Sequence, residues 1–186
     1  MASFTVNYGP LAGLIGIWSG DKGIDIAPDP KEDREENPYY ETITFTGAGY
    51  ANNAEQQLLA AVRYHIEVRR KADDEVFHDQ TGYWMWDKKE DIVMQSLSIP
   101  RGVTLLAGGV AMEIDNGYEI RVACDENDAA WSIVQSPFMH ENAKTTSFTQ
   151  TMILQEDTLH YAETTMLEIY NKTFEHTDTN TLIRVK

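Results

Sequence analysis

Five histidines and a single cysteine are the residues of this 186-residue chain best suited to ligate a metal or move a proton. His176 leads them. Two β-rich runs near the C-terminus, Leu159 to Ile169 and Thr181 to Val185, flank a polar stretch, Asn171 to Asp178, that reads as a connector carrying this histidine. A histidine at the mouth of a hairpin that closes a sheet meets whatever is bound inside. His78 lies in a second run, Val76 to Trp86, rich in aromatic residues. Strand alternation puts Phe77, Asp79, Thr81, Tyr83 and Met85 on one face and His78, Gln80, Gly82, Trp84 and Trp86 on the other. A cavity that His78 faces is then also faced by Trp84 and Trp86, which predicts an apolar, aromatic-lined interior suited to a flat ligand. His140, beside Pro137-Phe138-Met139, is a further pocket candidate, and His65 and His160 read as solvent-facing strand residues.

Several chemistries are excluded. One cysteine, Cys124, permits neither an internal disulfide framework nor a multi-cysteine metal site. No His, Cys, Asp and Glu grouping has metal-site spacing along the chain, and there is no nucleophile elbow, phosphate loop or dinucleotide fingerprint. No catalytic residue is assigned. The net charge of −15, from 30 acidic and 15 basic residues, opposes binding to phosphate backbones, and the acidic residues read as surface charge. The start of the chain lacks the basic and apolar regions of a secretory signal, and no stretch approaches the roughly 20 apolar residues that span a bilayer. The expectation is a cytoplasmic protein that binds neither membrane nor nucleic acid.

The elements that would position these residues are short strands. Gly16 to Ile26 reads as a strand that glycines allow to bend, after a segment, Leu11 to Ile17, that fits a helical turn. Residues 1–13 form an N-terminal extension, and 27–38, rich in proline and charge, a loop. Tyr39 to Thr46 alternates cleanly, with Ile43 and Phe45 on one face, and Val62 to Arg69 alternates as a half-buried strand. Asp115-Asn116-Gly117 is a tight-hairpin signal. Ser147 to Leu154 and Leu159 to Ile169 form a hairpin, whereas Ala129 to Lys144 has no readable pattern. About ten turn-separated strands without a long helix predict an all-β fold: one antiparallel up-and-down barrel over residues 1–186. A barrel of that size is too wide for its own side chains to fill, so it encloses a ligand cavity.

Four stretches resemble the nitrobindin family, heme-binding barrels distantly related to lipocalins and fatty-acid-binding proteins that include a domain of THAP-type proteins. They are Leu14-Ile15-Gly16-Ile17-Trp18-Ser19-Gly20, Tyr40-Glu41-Thr42-Ile43-Thr44-Phe45, Phe77-His78-Asp79-Gln80-Thr81-Gly82-Tyr83-Trp84, and His176 ahead of Leu182 and Arg184. Their order matches the family's, and together they span most of the chain. The chain departs from the family pattern at several places, among them Ile24-Asp25-Ile26-Ala27-Pro28 in place of the family's Tyr-Pro-Thr-Ile and a longer Pro28–Pro38 loop. Lys22 stands where a third glycine is expected, with Gly23 one place later; Gln80 replaces an acidic residue; and Leu182 and Arg184 come one place late after His176. The resemblance implies heme b, with His176 as the proximal iron ligand and His78 at the heme edge, and Trp18 and Trp84 as pocket aromatics. It further implies nitric oxide binding and isomerisation of peroxynitrite to nitrate, and it is compatible with a homodimer. The alternative from a different class is a non-catalytic carrier of a fatty acid or other small apolar ligand.

Overall fold

The computed structural model describes residues 5–31 and 34–185. Residues 1–4 of the expected extension and 32–33 of the expected loop lie outside them. One 3-10 helix, η1 (Gly9–Leu14), precedes β1 (Gly16–Ala27), β2 (Glu35–Asn53), β3 (Gln57–Arg70), β4 (Val76–Asp87), β5 (Ile92–Ile99), β6 (Val103–Ile114) and β7 (Gly117–Asp125). The chain continues through β8 (Ile133–Gln135), α1 (Pro137–Asn142), β9 (Ala143–Gln155), β10 (Thr158–Ile169) and β11 (Lys172–Arg184). Ten of these strands form a closed antiparallel barrel in which β1 pairs with both β2 and β11, and β5 with both β4 and β6. The eleventh, β8, pairs only with the start of β6. Closure leaves the ten-stranded ring without a free edge.

The strands are longer than the sequence pattern indicates. The expected 27–38 loop gives up its last residues to β2, which begins at Glu35 and accommodates Pro38 opposite Ile24. The stretch Asn171 to Asp178 is no connector. The turn is Tyr170 and Asn171, both at positive φ, and β11 runs unbroken from Lys172. The polar residues of that stretch suit a strand because the barrel interior they face is itself polar.

One irregularity orients the site. Between Gly20 and Gly23 the register of β1 slips by one residue against β2, and it slips between Ser19 and Ile24 against β11. This bulge absorbs the displaced glycine noted above. One extra residue inverts which side chains point inward, so Trp18 and Gly20 face the interior before it and Gly23 and Asp25 after it. Gly23 must be glycine, because a Cβ there would stand 2.0 Å from the Tyr39 ring.

The two ends of the barrel differ. At the end where β1 starts, η1 buries Leu11 and Leu14 completely among Trp18, Phe45, Val62 and Trp84. The Trp18 indole donates to Leu14 O at 2.7 Å. Arg184 stacks on that indole at 4.2 Å and donates to Ile15 O at 2.8 Å. The part of the expected extension that is described, together with Trp18 and Arg184, is therefore a plug. The barrel opens at the other end, beside the β1–β2, β3–β4, β5–β6 and β10–β11 connections and α1. The Ser136 side chain caps α1 by accepting from Met139 N at 3.3 Å. Among the described residues no helix is long and apolar enough to cross a membrane.

Truncating the plug leaves a void that surrounding strands cannot close. Leu11→Ala is expected to cost about 2–5 kcal/mol, read as a lower urea midpoint at unchanged slope.

Candidate functional site

A cavity of about 370 Å³ occupies the open half of the barrel. Its two sides differ in chemistry. Ile66 and Val68 of β3, Leu97 of β5, Leu105 of β6, and Met139 of α1 supply an apolar wall. Further round the ring, Asp25 of β1, Tyr39 and Glu41 of β2, Tyr161 and Glu163 of β10, and His176 and Asp178 of β11 supply a polar, predominantly acidic one, which meets the apolar wall where Glu41 pairs with Val68. The expected apolar interior is therefore found on one side only, and the tryptophans expected to line it, Trp84 and Trp86, are not part of the cavity wall. Likewise four acidic residues, Asp25, Glu41, Glu163 and Asp178, are not surface charge but line the cavity.

Strand register explains the acidic wall. Asp178 lies directly opposite Asp25 across the β1–β11 seam and opposite Glu163 on β10, and Glu163 is opposite Gln150 on β9. Four inward residues thus form one rung around the barrel, three of them carboxylates in succession. Like charges directly opposite on a sheet repel. Burial and the neighbouring carboxylates push the Glu163 and Asp178 side chains well above the ordinary carboxylate range. His176 sits one inward position nearer the mouth. Its Nε2 lies 2.6 Å from Asp25 Oδ1 and 3.4 Å from Asp178 Oδ2. Burial alone would lower its pKa, but the Asp25 hydrogen bond and the charges of Asp178 and Glu163 win and raise it. Asp25 is further held by Asn37 Nδ2 at 2.9 Å.

Deeper in, Glu41 accepts from Asn180 Nδ2 at 2.7 Å and from the Tyr161 hydroxyl at 3.0 Å. The Tyr39 hydroxyl lies 2.7 Å from the Tyr161 oxygen and donates to Thr179 O at 3.3 Å. Burial is the main cause that lifts the Glu41 carboxyl from 4.5 to about 7, although both hydrogen bonds oppose it. On the far side His78 lines the cavity with Nε2 3.1 Å from Gln80 Oε1, and burial lowers its pKa.

The structure brings His176 and His78 to one cavity. It does not bring Trp18 and Trp84 there: both are buried in the closed half, outside the cavity lining. Trp84 does share the inward face with His78, but it stands six residues further along, half the length of the 12-residue β4 and about 20 Å at roughly 3.3 Å per residue. His140 is exposed on α1 and outside the lining, and His65 and His160 are exposed, pairing with Asp79 and Thr181. Ala129 to Lys144, unreadable in the sequence, carries β8 and α1, which sets Met139 beside the mouth. Asp25, Glu41, Glu163 and Asp178 were missed as site residues. Glu41 shares its parity with Ile43 and Phe45, and Glu163 with Leu159 and Tyr161, so alternation could have found those two.

The sequence matches the family model described as a THAP4-like, heme-binding beta-barrel domain over residues 7–184. Among solved structures, the crystal structure of Rv2717c from M. tuberculosis superposes with a TM-score of 0.72 at 20% identity, covering 97% of this chain and 100% of that one. That likeness carries the fold alone. No curated protein matches the chain.

The site residues can be tested against heme. An axial histidine must present an unprotonated nitrogen to iron. Here Nε2 of His176 is hydrogen-bonded to Asp25, with a second carboxylate in reach, and coordination through this nitrogen would have to replace that contact. A porphyrin against this wall would also bury Glu163 and Asp178 beside hydrocarbon. The carboxylates of this wall, not the histidine, are what does not fit heme.

The raised Glu41 pKa makes a stability prediction. A folded-state value above the unfolded one confers stability that is complete below about pH 4.5 and lost as pH rises through about 7. Between pH 4.5 and 8 the wild type should lose up to about 3 kcal/mol through this group, and Glu41→Gln should lose correspondingly less. Urea unfolding of both proteins across that range checks it.

Proposed function

The chain belongs to the THAP4-like, heme-binding β-barrel domain family, and from that premise we propose that it binds one small amphipathic molecule in its cavity. The apolar body lies against Ile66, Leu97 and Leu105, and a cationic head meets Asp25, Glu163 and Asp178. The observation that carries this reading is the division of one cavity into an apolar and an acidic wall. Burying apolar surface contributes about 25 cal/mol per Å². The acidic wall sets the sign of the head group, because buried carboxylates repel an anionic head and attract an ammonium. A fatty acid, the ligand of an ordinary carrier of this shape, has the wrong head for that wall.

The family's heme chemistry is the second reading: heme b on His176, with His78 at its edge, nitric oxide binding and peroxynitrite isomerisation. It is supported by family membership and by the position of both histidines in the cavity. It requires His176 to give up its contact with Asp25.

Two titrations separate the readings. Calorimetry on chelator-treated protein with alkylammonium and alkanoate ligands of equal chain length should show the ammonium binding at least about tenfold more tightly, about 1.4 kcal/mol. Equal affinity, or preference for the alkanoate, would overturn the first reading. Hemin added to wild type and to His176→Ala should give the same undefined Soret absorption. A stoichiometric Soret shift present in the wild type and lost on substitution would establish the second reading instead.

A further inference from the structure

Asp25, His176 and Asp178 form a corner of the acidic wall where the β1–β11 seam crosses the cavity. One ligand atom from each lies within 4.8 Å of the other two. The contacts His176 Nε2 to Asp25 Oδ1, 2.6 Å, and to Asp178 Oδ2, 3.4 Å, matter here. Nitrogen and carboxylate donors about 2.0–2.2 Å from one small divalent ion stand roughly 3 Å apart, and these separations bracket that value. From three points on two adjacent strands, the donors leave the cavity side open. Asn37 Nδ2 donates to the other oxygen of Asp25 at 2.9 Å and so fixes its orientation.

A second observation points the same way. Gln150 closes the rung that runs Asp25, Asp178, Glu163, Gln150. It is 5% exposed and donates through Nε2 to Glu163 at 2.9 Å, while its Oε1 has no hydrogen-bond partner among the described residues. A buried acceptor left unpaired at the end of a run of three carboxylates, next to Glu163, marks a wall short of donors. Among the described residues lining this wall the His176 imidazole is the one cationic group, and Arg70 and Arg101 stand at the mouth. Arg70 there already pairs with Asp73 and Glu75.

We propose that Asp25, His176 and Asp178 bind a divalent transition-metal ion such as Zn²⁺, with Glu163 beside it and at least one coordination position open to the cavity. Mixed imidazole and carboxylate donors suit Zn²⁺ and its neighbours better than the all-oxygen shells of Ca²⁺ or Mg²⁺. The ion replaces the protons that the rung otherwise shares, so binding releases protons. The inference rests on the reading of the acidic wall as cation-seeking.

Zn²⁺ titrated into chelator-treated protein should bind once per chain by calorimetry, with heats that change with the ionisation enthalpy of the buffer. Co²⁺ in its place should give visible d–d absorption. Asp178→Asn and His176→Gln should each weaken Zn²⁺ at least tenfold. Asp79→Asn, an exposed carboxylate outside the cavity, should not. Circular dichroism shows that each variant is folded, and Asp178, less buried than Asp25, serves if Asp25→Asn does not fold. Absence of stoichiometric uptake, or uptake that Asp178→Asn and His176→Gln leave unchanged, overturns the site. Alkylammonium binding without Zn²⁺ binding removes this inference and leaves the cavity reading standing; failure of both removes both.

Discussion

The interior of this barrel depends on the seam between β1 and β11. It joins the first strand to the last and so completes the ring. It is also where Asp25 meets Asp178 and His176, residues far apart in sequence. The extra residue between Gly20 and Gly23 decides which side of β1 looks inward at that seam. Without it, strand parity carried on from Trp18 would turn Asp25 to solvent, and the acidic wall would lose the residue that holds His176. A local irregularity of backbone thus sets the charge of a cavity.

The two halves of the molecule carry different loads. The closed end buries Leu11, Leu14, Trp18 and Trp84 and makes the conventional hydrophobic core. The open end places carboxylates where they destabilise the fold: Glu41, Glu163 and Asp178 all bind protons more tightly than ordinary carboxylates do. A fold tolerates such groups when packing elsewhere compensates, and binding sites are where that trade is expected.

How much of this was legible follows from what alternation encodes. Period-two patterning identifies faces, which is why the all-β barrel, the His78 face and the β9–β10 hairpin could be read from the chain. It does not encode depth, so Trp84 shares a face with His78 yet lies in the plug. It also fails across a bulge, where Asp25 changes sides, and the displaced Gly23 was the available sign. His176 was assigned to a connector because Asn, Thr and Asp look like turn residues. In a strand facing a polar interior they are the expected composition, and the even spacing from His176 to Leu182 puts both on the inward face. Glu41 and Glu163 had the right parity; a prior that acids belong on surfaces hid them.

The plug has a further consequence, for traffic. With one end sealed by η1 and tied down by Trp18 and Arg184, whatever enters the cavity leaves by the way it came in. An amphipathic guest of the kind proposed would travel polar end first to reach the carboxylate rung. The door frame includes α1, a six-residue helix with no buried side chain. The doorway is thus framed in part by an element that buries none of its side chains, whereas Asp25 and Gln150 of the rung beyond it are buried.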